Sequence, residues 1–439
     1  MRERKLMAID GKPLKVLIEA TKLMDGPRDG CYRYTSELLR GILKHQKTSA
    51  EPWSFYCYIH GKVYGISSLS RMILARRLLI EGRFQILLRS LVSGAAKFRQ
   101  KLAGLFKSWF SERRVKLLKE LDRKSGVTAQ LEYAHQGRPI DGSEYDVVHL
   151  TLPQSYRCIK PSSQSRFVVT IHDCTHRRFP EFHLEENVKA AEEGIQFALD
   201  RSAHFITNSN ATCEELLSEY KIKPDRVTVT PLAVDRSRFT KVEDTEASRQ
   251  IRSKYGIPEL PFFLTLSTLE PRKNLINTVR AFVRFRREYP GAKTNLVIAG
   301  REGWKFGDVL SDQSARDDRI FFTGYVEDDD LPVLYSGAIA LLFVSHYEGF
   351  GLPALEGMSC GLPVIFGATG ALPEVVGDAG IPADPNEVGD IQEKLARLAF
   401  NSDLREDLSL KALARVDQFS WADTVEKTLE VYQKVADSD

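Results

Sequence analysis

The sequence predicts an α/β protein made of two doubly wound domains, each a parallel sheet covered by helices on both faces. Three observations carry this. Short apolar segments alternate with amphipathic helical stretches along most of the chain, the pattern of buried parallel strands joined by crossover helices. The alternation occurs twice, with the charged stretch 240–258 between the two series, where it reads as the linker. The chain also has 439 residues, 43% of them hydrophobic, which is more than one core accommodates. The expected domains are 1–240 and 241–415, followed by a closing helix over 416–439.

The first series opens with Leu14 to Ala20, apolar enough for a buried strand. A glycine-containing loop follows, then an amphipathic helix from about Tyr32 to Lys44. Trp53 to Ile59 reads as the second strand, and Asp146–Leu150, Phe167–Ile171, Ala203–Thr207 and Val227–Val229 as later ones. Helical stretches at Glu185–Ser202 and Ala211–Tyr220 separate them.

Residues 66–145 interrupt this series as a basic helical insertion. From Arg71 to Lys124 there are fifteen Lys and Arg against four acids, interleaved with Ile, Leu, Phe and Trp. Basic amphipathic helices that lie on an anionic lipid surface have this profile, so a membrane-surface contact is expected here. The alternative is a solvated helical insertion that packs its apolar stripe on its own domain. Nucleic acid would also accept the charge, but a net charge of +3 is nearly balanced and nothing else in the chain supports that partner.

The second series begins near Pro261, with strands at Phe262–Leu266, Thr294–Ala299, Ile320–Phe322, Ile339–Val344 and Pro363–Phe366. Ser420-Trp421 opens the last helix. Six cysteines (31, 57, 158, 174, 213 and 360) are scattered without a C-x-x-C pair. That usage fits reduced thiols in a cytoplasmic compartment better than a disulfide or metal framework. Met1 to Met7 lacks an apolar signal core, and no apolar run reaches the roughly 18 residues of a membrane span.

Chemistry concentrates in Glu348-Gly349-Phe350-Gly351-Leu352-Pro353-Ala354-Leu355-Glu356. Pro353 suits a first helical turn and Gly361 suits the residue past the helix end. Glu348 therefore lies on the loop at the strand's carboxyl end, and Glu356 about one turn into the helix. Both can face the crevice where open α/β sheets bind ligands. Carboxylates grip hydroxyls, and backbone amides of Gly349, Phe350, Gly351 and Leu352 at a helix start favour phosphate. That combination suits a nucleotide sugar. Acids complementing a helix dipole are the plainer reading.

Two glutamates separated by seven residues, a helix, then Gly361-Leu362-Pro363-Val364-Ile365 and Gly370-Ala371-Leu372-Pro373-Glu374-Val375-Val376-Gly377-Asp378-Ala379-Gly380, closely resemble the retaining glycosyltransferases of family 4. The resemblance covers most of 14–60 and 146–435. It implies the GT-B architecture, in which two Rossmann-like domains face a cleft and close on the donor. It also implies transfer from a nucleoside-diphosphate sugar with retention and no required metal or other cofactor. In that setting Glu348 holds sugar hydroxyls and steadies charge at the anomeric carbon, while Glu356 holds the ribose. The segment Phe322 to Val326, with Gly324 and Val326, cradles the base.

Arg272 and Lys273, in Leu269-Glu270-Pro271-Arg272-Lys273-Asn274, are two adjacent cations at a strand-to-helix loop, placed to neutralise a diphosphate leaving group. Thr268 stands where the family often has a further Arg. His172 closes a buried strand and is expected to hydrogen-bond a sugar hydroxyl, as the family's His does. His172 and His176 share a metal-like spacing, but no third ligand accompanies them. Gly30, Arg33 and Tyr34 form the expected acceptor-side loop, in which Tyr32 replaces the second Gly of the family's Gly-x-Gly-Arg-Tyr; helix packing is the plainer reading of Arg33 and Tyr34. Asp328-Asp329-Asp330 precedes a helix and is assigned to capping rather than to metal.

The expected enzyme transfers a sugar to a saccharide or lipid-linked saccharide, in the style of mannosyl- and rhamnosyl-transferases of surface polysaccharide assembly. It would be cytoplasmic, peripheral at the inner face of the cell membrane. A sugar phosphorylase on the same fold, a nucleotide-sugar epimerase and a non-catalytic membrane-bound scaffold are the competing readings.

Overall fold

The computed structural model describes residues 13–23, 29–48, 53–59, 62–67, 139–160, 165–303 and 311–438. The bulk of the basic insertion, residues 68–138, lies outside the described residues, as do residues 24–28 of the first loop. The strands are β1 (Leu14–Glu19), β2 (Trp53–Ile59), β3 (Lys62–Gly65), β4 (Ile140–Asp141), β5 (Val147–Leu150), β6 (Ile159–Lys160), β7 (Arg166–Ile171), β8 (His204–Thr207) and β9 (Val227–Val229), followed by β10 (Phe262–Leu266), β11 (Asn295–Ala299), β12 (Ile320–Gly324), β13 (Leu341–Phe343), β14 (Val364–Gly367) and β15 (Gly380–Ala383).

They form a seven-stranded sheet in the order β3-β2-β1-β5-β7-β8-β9 and a six-stranded sheet in the order β12-β11-β10-β13-β14-β15. The second order, counted from β10, is 3-2-1-4-5-6, the Rossmann arrangement. Its recorded strand pairs are all parallel, and β11 and β13 are buried at every residue because helices cover both faces. The helix Leu275–Glu288 supplies Val279, Phe282 and Phe285 to the core, and Val388–Phe400 adds Ile391, Leu395 and Leu398. Each such side chain contributes about 1.5–3 kcal/mol on burial.

By contact the chain divides into two compact units, residues 1–151 with 155–168 and 432–439, and residues 152–154 with 169–431. The first holds β1, β2 and β5. There Tyr432, in the helix Trp421–Ala436, is fully buried, its hydroxyl 2.6 Å from Nδ1 of His149 and its ring tilted against Trp53 and Phe55. Ser420 starts this helix by accepting from the Ala422 amide at 3.1 Å.

Three expectations change. The stretch 240–258 contains the helix Thr245–Tyr255, capped by Asp244 and ended by Gly256 at φ 68°. Asp328–Asp330 do not cap the helix Leu331–Ser336: Asp330 stands at its start without a side-chain cap bond. Instead Asp330 accepts from Tyr255 Oη at 2.6 Å and pairs with Lys254, while Asp329 pairs with Arg238 at 2.8 Å. The acids have partners on a distant helix and, for Asp329, on the turn at Arg238, which no local pattern shows. Gly30, Arg33 and Tyr34 lie in the first turns of the helix Gly30–Thr48 rather than in a loop, and Tyr34 is fully buried.

Among the described residues no helix is long and apolar enough to cross a membrane.

Candidate active site

In the 3-2-1-4-5-6 order, β10 and β13 are neighbours whose crossovers leave in opposite directions, so a crevice opens beyond their carboxyl ends. The loops after these strands carry Glu270, Arg272 and Lys273 on one side and Ser345 and Glu348 on the other. They are stitched together. Asn274, held at φ 57°, donates through Nδ2 to Val344 O at 3.0 Å and Pro385 O at 2.6 Å, and the His346 amide donates to Arg272 O at 2.9 Å.

The centre of the site is Glu348, 6% exposed. Its Oε1 accepts from Lys273 Nζ at 2.6 Å and Ser345 Oγ at 2.6 Å, and its Oε2 accepts from Arg272 Nη1 at 3.0 Å. Arg272 is shared. Nε and Nη2 donate to Glu270 Oε1 at 3.1 and 2.8 Å, and Nη1 also reaches Tyr347 O at 2.9 Å. Burial works against the Arg272 charge, but Glu348, then Glu270 and Asp173, more than offset it and keep the guanidinium firmly protonated. The sequence separates Glu348 from Arg272 and Lys273 by some 75 positions; the structure places them in direct contact.

Burial alone would raise the Glu348 carboxyl, but Lys273 and Arg272 hold it below its ordinary range. Asp173 is likewise held low: burial opposes ionisation, and Arg272 with two hydrogen bonds from Thr175 overrides it. Both acids bind protons more weakly folded than unfolded. Their contribution to stability is therefore complete above the ordinary carboxyl value of about 4 and is lost as pH falls through the lower folded values. Urea unfolding between pH 7 and 3 should show stability dropping in that acid window, with a shallower drop in Glu348→Gln. Identical curves for the two proteins would remove Glu348 as a source.

Backbone geometry at the motif is demanding. A Cβ on Gly349 would sit 1.9 Å from His172 O, so only glycine lets the loop pass the end of β7. Gly351, at φ 100°, stands at the start of the helix Leu352–Ser359, with Pro353 in its first turn. Glu356 is 2% exposed and accepts from Tyr335 Oη at 3.1 Å. Phe350 and Leu352 are buried beside it. Gly324 ends β12 at φ 68°, and Val326 beyond it is buried. His172 is half-buried just past β7. His176 bonds Tyr220 Oη at 2.9 Å. Among the described residues no group of three His, Cys, Asp or Glu side chains is placed to hold a metal ion.

Sequence reasoning did not single out Glu270, Ser345, Asp173 or Ser209. Glu270 and Ser345 lie within three residues of named site residues, which was the available signal. Ser209, a helix cap far away in the chain, offered none.

A Rossmann-ordered sheet with its polar cluster at the switch point, in a chain that also carries a seven-stranded sheet parallel in its recorded pairs except at β3, is the composition of the GT-B architecture of glycosyltransferases. The crystal structure of HepE from Anabaena in complex with UDP and glucose has this fold, aligning over 95% of this chain and 98% of its own with a TM-score of 0.61 at 15% identity. Residues 247–415 match the family described as glycosyl transferases group 1, and residues 113–238 match glycosyltransferase family 4. The O-antigen chain mannosyltransferase B of Escherichia coli is 34% identical over 280 residues, 62% of this chain and 71% of that protein. The chain belongs to glycosyltransferase family 4 and is a glycosyltransferase. The serotype-specific mannosyltransferase WbdA of Escherichia coli is 27% identical over 268 residues, and this chain spans only 31% of its length.

Proposed function

We propose that this chain is a retaining, metal-independent glycosyltransferase that moves a mannosyl-type sugar from a nucleoside-diphosphate donor to a saccharide or lipid-linked saccharide of a cell-surface polysaccharide. The observation that carries the reading is the buried contact of Glu348 with both Arg272 and Lys273. Anomeric carbon and leaving phosphate are one bond apart, so an acid for the sugar and cations for the diphosphate have to be adjacent. Arg272, Lys273 and the amides from Gly349 to Leu352 take the diphosphate, with Phe350 and Gly351 shaping the turn. Glu348 holds sugar hydroxyls and faces the charge that develops at the anomeric carbon. His172 bonds the sugar, Glu356 the ribose, and Gly324 and Val326 border the base.

In the proposed step the anomeric C–O(phosphate) bond breaks as the C–O(acceptor) bond forms on the same face. The acceptor's proton passes to the leaving phosphate, so no protein nucleophile is needed. The domains of this reading are 1–240, with Gly30 and Arg33 on the acceptor side, and 241–415, followed by the closing helix. The mannosyl donor is supported by the names of the two Escherichia coli relatives above.

Thermal melting with a panel of UDP-, GDP- and dTDP-sugars tests the donor: one nucleotide should raise the melting temperature, and acceptor-dependent release of that nucleoside diphosphate should follow. Turnover that needs inorganic phosphate instead would favour the phosphorylase reading, and no shift with any donor would favour a scaffold. The basic insertion 66–145 is proposed to hold the enzyme at the inner face of an anionic membrane. Co-sedimentation with phosphatidylserine vesicles at low but not high salt is expected, and equal recovery without vesicles would remove the membrane role.

A further inference from the structure

The residues on either side of Glu348 are both fastened to one helix, Asn210–Tyr220, inside a single compact unit. On one side Tyr347, 2% exposed, donates its hydroxyl to Glu215 Oε2 at 2.5 Å. On the other, Ser209 Oγ, fully buried, donates to Gly349 O at 2.7 Å. The same Ser209 oxygen accepts from the Thr212 amide at 3.1 Å and so caps the helix. Thr212 Oγ1 lies 3.3 Å from Gly349 O and seconds the contact. The helix start is itself anchored, because the Glu374 carboxylate accepts from the Asn210 amide at 2.9 Å and from Asn210 Nδ2 at 2.8 Å.

We propose that Ser209 is a positioning residue for sugar transfer, its hydroxyl tying Gly349 O to the capped end of the helix Asn210–Tyr220 and so fixing where Glu348 stands. The idea rests on the reading that Glu348 acts at the donor sugar. Glu348 reaches its cations from a short loop, and the loop's own strand ends at Phe343. With Ser209 gone, the Gly349 side of the loop keeps only the longer Thr212 contact and the Ala371 amide bond to Glu348 O, and is loosened, while Arg272 and Lys273 keep their places on the other loop. A carboxylate that drifts costs rate without costing diphosphate affinity.

The test compares Ser209→Ala with wild type for kcat and for nucleoside-diphosphate affinity by calorimetry. The expected result is a fall in kcat of about 10- to 100-fold with affinity unchanged. Tyr347→Phe, which cuts the other tie without touching the cap, should show the same split. Asn401→Ala removes the cap of a separate helix, Ser402–Val416, and controls for lost stability; it should keep wild-type kcat. Wild-type kcat in Ser209→Ala overturns the proposal, and so does a parallel loss of affinity, which would mean collapse of the site. If Glu348→Gln is inactive while Ser209→Ala is normal, positioning alone fails. If Glu348→Gln stays active, the role of Glu348 fails.

Discussion

Glu348→Gln is expected to lower kcat for sugar transfer by at least about 10²–10³-fold while the protein still folds. Glutamine has nearly the same shape and keeps a hydrogen-bonding oxygen near Ser345, but it carries no charge to set against a positive anomeric centre. Lys273 loses its only ion pair among the described residues, whereas Arg272 keeps Glu270 and Tyr347 O. The variant should therefore bind nucleoside diphosphate at least as well as wild type, since Lys273 is no longer occupied by an acid. Steady-state kinetics with calorimetric titration of the nucleotide separates the two effects. Near-normal kcat would remove Glu348 from the reaction.

Gly349→Ala should be the most damaging single-methyl change in the site. The new Cβ would lie 1.9 Å from a backbone oxygen, His172 O, and 2.8 Å from Asp173 Cβ. Neither is the end of a flexible side chain, so the loop itself must move. Overpacking of this kind costs about 3 kcal/mol or more, and the shift would carry Glu348 off Arg272 and Lys273 and break the Ser209 contact. Chemical denaturation and activity should fall together. Wild-type stability in this variant would mean that the close approach is not required.

Much of the fold was legible because strand and helix periods are local properties. Trp53–Ile59 and Val227–Val229 are strands with the expected bounds, and the helix between Pro353 and Gly361 ends as its punctuation implies, with Gly361 at φ 72°. The short strand β15 carries Pro382, which masks it as a turn, yet it pairs along the sheet edge where a missing amide is tolerated. The glycosyltransferase class was legible from the resemblance of the glutamate pair and the segments after it to family 4, while side-chain types and spacing by themselves suggested a nucleotide-sugar site. What escaped was partnership across the chain. The adjacency of β10 and β13 makes Glu348 meet Arg272 and Lys273, while tertiary packing puts Asp330 against Lys254 and sets Ser209 against Gly349. The helix expected from about Tyr32 starts at Gly30, so all of Gly30, Arg33 and Tyr34, named as an acceptor-side loop, are helical.

The mutual neutralisation at Glu348 bears on turnover. Two cations left bare at the bottom of a dry crevice would grip a departing nucleoside diphosphate and hold it. Here the fold supplies its own competitor. On the proposed reading a donor displaces Glu348 from Arg272 and Lys273, which weakens ground-state binding, and the carboxylate regains both partners when the spent nucleotide leaves. An enzyme working in this way would be built to let go of its product.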